Sequence, residues 1–104
     1  MLLRLQSVLD DRYRHRPEHS YSTQLFAGGM DRIVAKLREE ADEIAEAALA
    51  IKDSGLQPVV HEAADLIFHC LVLFRACDLS LETVTDELAR REGISGLDEK
   101  ESRS

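Results

Sequence analysis

Apolar residues recur along most of the chain at the three- and four-residue spacing of amphipathic helices, and four helical segments follow from that pattern. Leu2, Leu5, Val8, Leu9 and Tyr13 predict a first helix over about residues 2–14. Residues 15–27 interrupt the period with Pro17, Ser20, Ser22 and Thr23, and read as an irregular connection closed by Gly28-Gly29. In a second helix, about 30–52, Met30, Val34, Leu37, Ala41, Ile44, Ala48 and Ile51 alternate by four and three, the period of lengthwise packing in a bundle. Asp53-Ser54-Gly55 stops it, with Gly55 able to take a left-handed conformation. Pro58 suits the first turn of a third helix running to about Cys77. Ser80 can cap a fourth, with Leu79 and Val84 placed as a hydrophobic staple and Gly93 ending it. Residues 94–104 read as a polar, irregular tail.

The third helix sets the expected architecture. From Leu66 to Phe74 it reads LIFHCLVLF, with His69 its only polar residue. A helix apolar around its girth must be covered on several sides, which four short helices of one chain struggle to do. The expectation is an all-α fold, a short bundle of four helices per chain completed by homodimerisation.

Composition narrows the class. At 104 residues and 11.7 kDa the chain has room for one core, so residues 1–104 are expected to form a single domain. A hydrophobic share of 44% and a charged share of 32% fit a globular protein and not a disordered one. A net charge of −7 argues against a general nucleic-acid binder. There is no run of 18 uncharged apolar residues to span a membrane, and the opening residues lack a signal-peptide core. The expected location is cytoplasmic. Cys70 and Cys77 fit it as reduced thiols, because seven helical residues separate them by roughly 10 Å, too far to bridge. His15 and His19 flank Pro17, which argues against a regular helix aiming both at one zinc ion.

Charge placement points to candidate chemistry. Residues 39–65 hold eight acids against one lysine, just downstream of a net basic stretch. Within them Glu40 and Glu43, and Glu62 and Asp65, each stand at i, i+3 on one helix face. At 100° per residue Glu40 lies roughly 60° from Leu37, bordering the packing stripe, and Glu43 roughly 120° away, just outside it. Glu62, Asp65 and His69 fall within about 60° of one another. Four acids from two antiparallel helices can therefore converge, and a divalent cation would relieve their repulsion. All-oxygen ligands favour Mg²⁺ or Mn²⁺ over zinc. A solvated acidic face would show the same spacing, with Lys36 bridging to Glu40 at i, i+4. Asp65 in place of histidine three beyond Glu62 sets aside a di-iron carboxylate site. His69 reads as a hydrogen-bonded core histidine beside the acids and not as a ligand.

Glu40-x-x-Glu43, eighteen intervening residues and Glu62-x-x-Asp65 resemble the motif of the all-α nucleoside triphosphate pyrophosphohydrolases, the MazG-like superfamily. Ser20-Tyr21-Ser22-Thr23 with Leu25-Phe26, the run Lys36 to Glu43, Glu62 to Leu66 with His69, and Ser95 to Lys100 with Arg103 narrow the resemblance. Together they resemble the phosphoribosyl-ATP pyrophosphohydrolases, the second enzymes of histidine biosynthesis. Ser22, His19 and Glu101 depart from that family's usual threonine, glycine and small residue. The resemblance implies nucleotide binding and hydrolysis of phosphoribosyl-ATP between its α- and β-phosphates. It assigns Mg²⁺, or Mn²⁺, to Glu40, Glu43, Glu62 and Asp65, with Glu39 as an extra ligand or water-orienting base. Lys36 and Arg32 would meet phosphate oxygens; Ser95, Gly96, Lys100 and Arg103 match the family's tail positions and would help enclose the substrate. Two other readings stay open: a house-cleaning pyrophosphohydrolase of the same superfamily, and a non-enzymatic helical interaction module.

Overall fold

The computed structural model describes residues 1–18 and 20–92, and among these every regular element is a helix. They are α1 (Leu2–His15), α2 (Tyr21–Ala27), α3 (Gly29–Leu49), α4 (Ile51–Ser54), α5 (Gln57–Ala76) and α6 (Leu81–Arg90). The all-α expectation holds, with six helices instead of four.

The predicted boundaries hold where the local chemistry is strong. Pro58 stands in the first turn of α5, where its missing N–H costs nothing. The Ser80 hydroxyl accepts the Thr83 N–H at 3.2 Å and caps α6. Leu79 and Val84, the expected staple pair, share one shallow groove with Leu88. Gly55 ends α4 at φ 78°, as foreseen, but ψ of −168° puts it in the extended mirror region open only to glycine, not in a left-handed helical turn. Gly93 and the tail 94–104 lie outside the described residues.

Two expectations fail. The first is the irregular connection over 15–27, because residues 21–27 form α2. Ser20 caps it, and Leu25 and Phe26 are buried against Leu9, Ile33, Leu71 and Val72. Seven residues cannot sustain a helix alone, so α2 owes its existence to that burial. The second is the continuous helix to Lys52: the chain kinks at Ala50 (φ −98°, ψ 9°) between α3 and the single turn of α4.

The helix α3 is also rotated from the orientation its apolar stripe implied. Met30, Ala41 and Ala48 are exposed, whereas the inward line runs through Ile33, Leu37 and Glu40, a turn of roughly 50° about the axis. Glu40 therefore lies within the packed face and does not border it. Its most extensive partner is α5, whose C-terminal half also receives α1 and α2. Tyr13 meets Phe26 edge to face at 4.9 Å, joining α1 to α2. By contrast α6 has no buried residue and is tied at its start by the Leu81 N–H, which donates to Gln6 Oε1 at 3.1 Å.

Candidate active site

Helical spacing places Lys36, Glu39, Glu40 and Glu43 along one side of α3, and His61, Glu62, Asp65 and His69 along the facing side of α5. Glu39, Glu40 and Glu43 bring carboxylate oxygens within 4.8 Å of one another, as do His61, Glu62 and Asp65 with their ligand atoms. The two groups face each other. Glu43 interacts with Glu62, and Glu40 feels Asp65 and His69, the order of an antiparallel helix pair. The four predicted acids are thus brought together.

Their surroundings are unfavourable for negative charge. Glu40 is only 5% exposed. Burial first, then the neighbouring Glu43, pushes its carboxyl above the usual range. Partial burial and the neighbouring Glu43 carboxyl raise Glu62. One oxygen of each, Glu40 Oε2 and Glu62 Oε2, is shut from solvent with no hydrogen-bond partner among the described residues. Buried oxygens of that kind need a cation or a proton. Four carboxylates with two orphaned oxygens fit a hard divalent ion that takes oxygen ligands.

Lys36 lies between its neighbours, its Nζ 3.1 Å from Glu39 Oε2 and 3.7 Å from Glu40 Oε1. The i, i+4 bridge to Glu40 was expected; the closer bond to Glu39 was not. That bond, against the opposing effect of burial, raises the Lys36 ammonium above its ordinary value, with Tyr21 adding to it. Arg32 is exposed beside Gly28 and makes no ion pair among the described residues. Ser95, Gly96, Lys100 and Arg103 lie outside the described residues.

His69 is 3% exposed and is the hydrogen-bonded core histidine its position implied. Its Nδ1 lies 2.7 Å from the Asp65 carbonyl oxygen and its Nε2 2.9 Å from the Tyr21 hydroxyl. Two contacts beside the acids escaped the sequence reading. His61 Nε2 stands 3.3 Å from Asp65 Oδ2, a contact that i, i+4 spacing could have flagged. Tyr21 reaches His69 from 48 residues away, and no local spacing signals such a contact.

A family profile described as phosphoribosyl-ATP pyrophosphohydrolase matches residues 2–92. Among curated proteins, the phosphoribosyl-ATP pyrophosphatase of Rhodopirellula baltica is 49% identical over 100 residues, covering 96% of this chain and 83% of that protein. Those of Nitrosospira multiformis and Nitrosomonas eutropha are 47% and 41% identical, covering 99% and 100% of this chain and 83% and 86% of their own lengths. A match of this extent places the chain in the phosphoribosyl-ATP pyrophosphohydrolase family.

Proposed function

We propose that the chain hydrolyses phosphoribosyl-ATP to phosphoribosyl-AMP and pyrophosphate, a step of histidine biosynthesis in the cytoplasm. Residues 1–104 act in this reading as one all-α unit. The observation that carries it is the convergence of four acids with two orphaned buried oxygens in a chain of this family.

Glu40, Glu43, Glu62 and Asp65 are the residues that would hold Mg²⁺, or Mn²⁺ in its place. Bound there, the ion offsets the charge that builds on the departing pyrophosphate. Glu39 stands at the rim of this group, and its carboxylate is suited to orient water or to complete the ligand set. Lys36, charged and pinned by Glu39 and Glu40, presents a cation one turn from the acids, where a phosphate oxygen would displace part of that pairing. Arg32, a further turn back and unpaired among the described residues, has the reach for a second phosphate contact. Ser95, Gly96, Lys100 and Arg103 complete the proposed substrate contacts.

A homodimer belongs to the same proposal, because Val60 and Ile67 remain exposed on the helix that carries two of the acids. The test is pyrophosphate release from phosphoribosyl-ATP compared with ATP and dCTP, with and without Mg²⁺. Mg²⁺-dependent turnover of phosphoribosyl-ATP alone is the expected result. Preference for dCTP would move the chain to a house-cleaning role, and no turnover or Mg²⁺ binding to an interaction module.

A further inference from the structure

Tyr21 is the first residue of α2; it is 44% exposed, and its ring is held by Phe68 and His69. It stacks on Phe68 at 6.2 Å with an interplanar angle of 27°. It meets the edge of His69 at 5.8 Å. Its hydroxyl lies 2.9 Å from His69 Nε2. The direction of that last bond follows from the other ring nitrogen. His69 Nδ1 is 2.7 Å from the Asp65 main-chain oxygen, which can only accept, so Nδ1 bears the hydrogen. In the neutral ring Nε2 is then an acceptor, and the Tyr21 hydroxyl donates to it. The residue before Tyr21 is tied as well: Ser20 Oγ accepts from Arg12 Nη1 at 3.0 Å while capping α2.

A buried polar ring on an otherwise apolar stretch of helix needs a reason to be polar, and leucine or phenylalanine would pack in its place. What histidine does here is join two elements. One end holds the turn of α5 that carries Asp65, and the other holds the start of α2.

We propose that Tyr21 and His69 form a positioning pair for phosphoribosyl-ATP hydrolysis, holding the Ser20–Thr23 end of α2 in register with the carboxylates of α3 and α5. This rests on the function proposed above. The pair acts through placement of its neighbours and not through contact with the reacting phosphates. Its loss should lower kcat while leaving metal affinity and most of the substrate affinity in place, because the carboxylates stay on their own helices.

Three variants of the full chain separate this role from simple packing. Tyr21→Phe keeps the ring and removes the hydroxyl. His69→Gln keeps an amide oxygen near the place of Nε2, whereas His69→Asn keeps a donor near the place of Nδ1 and loses Tyr21. Each is assayed for kcat and KM with phosphoribosyl-ATP, for Mn²⁺ affinity by electron paramagnetic resonance, and for melting temperature. Tyr21→Phe and His69→Asn should each lose about tenfold or more in kcat, with KM and Mn²⁺ affinity within about threefold of wild type. Their combination should be no worse than either alone, and His69→Gln should stay within about threefold of wild type. Tyr21→Phe with kcat within about twofold of wild type overturns the pair, as do equal losses in His69→Gln and His69→Asn. If Tyr21→Phe does not fold, the comparison at position 69 decides alone. Wild-type turnover with unaffected variants sinks the pair only; absence of wild-type turnover sinks the functional reading and the pair with it.

Discussion

Glu40 shows what the site demands of single residues. A glutamate 5% exposed, beside Glu43 and Asp65, with Lys36 near one oxygen and the other unpaired, costs the fold stability until a further cation or a proton joins it. Removing one charge from the cluster therefore acts in opposite directions on stability and on turnover. Glu43→Gln or Asp65→Asn should cut Mg²⁺-dependent turnover by more than about a hundredfold, beyond the usual cost of losing an outer partner of a metal site. In metal-free buffer the same variants should melt higher than wild type, because like-charge repulsion falls. Calorimetry with and without EDTA, beside a pyrophosphate-release assay, checks both halves; full activity at limiting Mg²⁺ would return the acids to a solvated face. The thiols give a second contrast at this scale. Burial raises the Cys70 thiol above its ordinary value, whereas Cys77 is exposed at the end of α5. A thiol-reactive disulfide at mild alkaline pH should modify Cys77 in a fast phase and Cys70 only slowly, read by mass spectrometry of the peptides. Equal rates would mean that α5 does not shield Cys70.

At the scale of elements, what was legible depended on whether the signal was local. Pro58 and Ser80 act within one turn, so the starts of α5 and α6 could be read directly. The acid pairs are equally local: i, i+3 spacing puts them on one face whatever the fold. The helix α2 was not legible, since Ser22, Thr23 and Gln24 look like loop residues and the burial of Leu25 and Phe26, added to the Ser20 cap, is what makes them helical. The orientation of α3 departs from its sequence pattern for a related reason. Its alanines extend the apolar stripe on paper, yet the face that packs on α5 includes Glu40, a polar residue kept inside for the site. The exposed helix α6 depends most on its own charges. Arg90 first, then Arg91, holds the Glu87 carboxyl down at about 2, against the usual 4.5. A depressed carboxylate contributes stability that is complete above its unfolded value and lost as pH falls through the folded one. Helical NMR shifts over residues 81–90 should therefore weaken between about pH 4.5 and 2, and Glu87→Gln should weaken them already at neutral pH. No change in either case would show that the Ser80 cap and Leu81 suffice to hold α6.

For the whole molecule, the decisive feature is the far side of α5. Glu62, Asp65 and His69 occupy the face toward α3, and Val60, Ala64 and Ile67 recur at i, i+4 and i+7 on roughly the opposite face. Further along that back face Leu71 is 2% exposed, within the core that α1 helps to form, but Ile67 is 48% exposed and Val60 57%. Among the described residues, the back face of α5 is thus covered along its C-terminal half and bare along its N-terminal half, directly behind two of the acids. Leu49 and Leu56, exposed near the α3–α5 connection, extend the uncovered surface. A second copy laid against this face would bury it, and Mg²⁺ ligation on the front would then depend on a helix stiffened from behind. Sedimentation equilibrium at micromolar concentration should give twice 11.7 kDa, with a melting temperature that rises with protein concentration. Ile67→Glu places a charge in the proposed contact while leaving the one-chain core of Leu9, Leu25, Phe26, Ile33, Leu71 and Val72 intact. It should shift the mass toward 11.7 kDa with the helical circular dichroism largely retained. A wild-type chain that sediments at 11.7 kDa and melts independently of concentration would mean that this face stays in water.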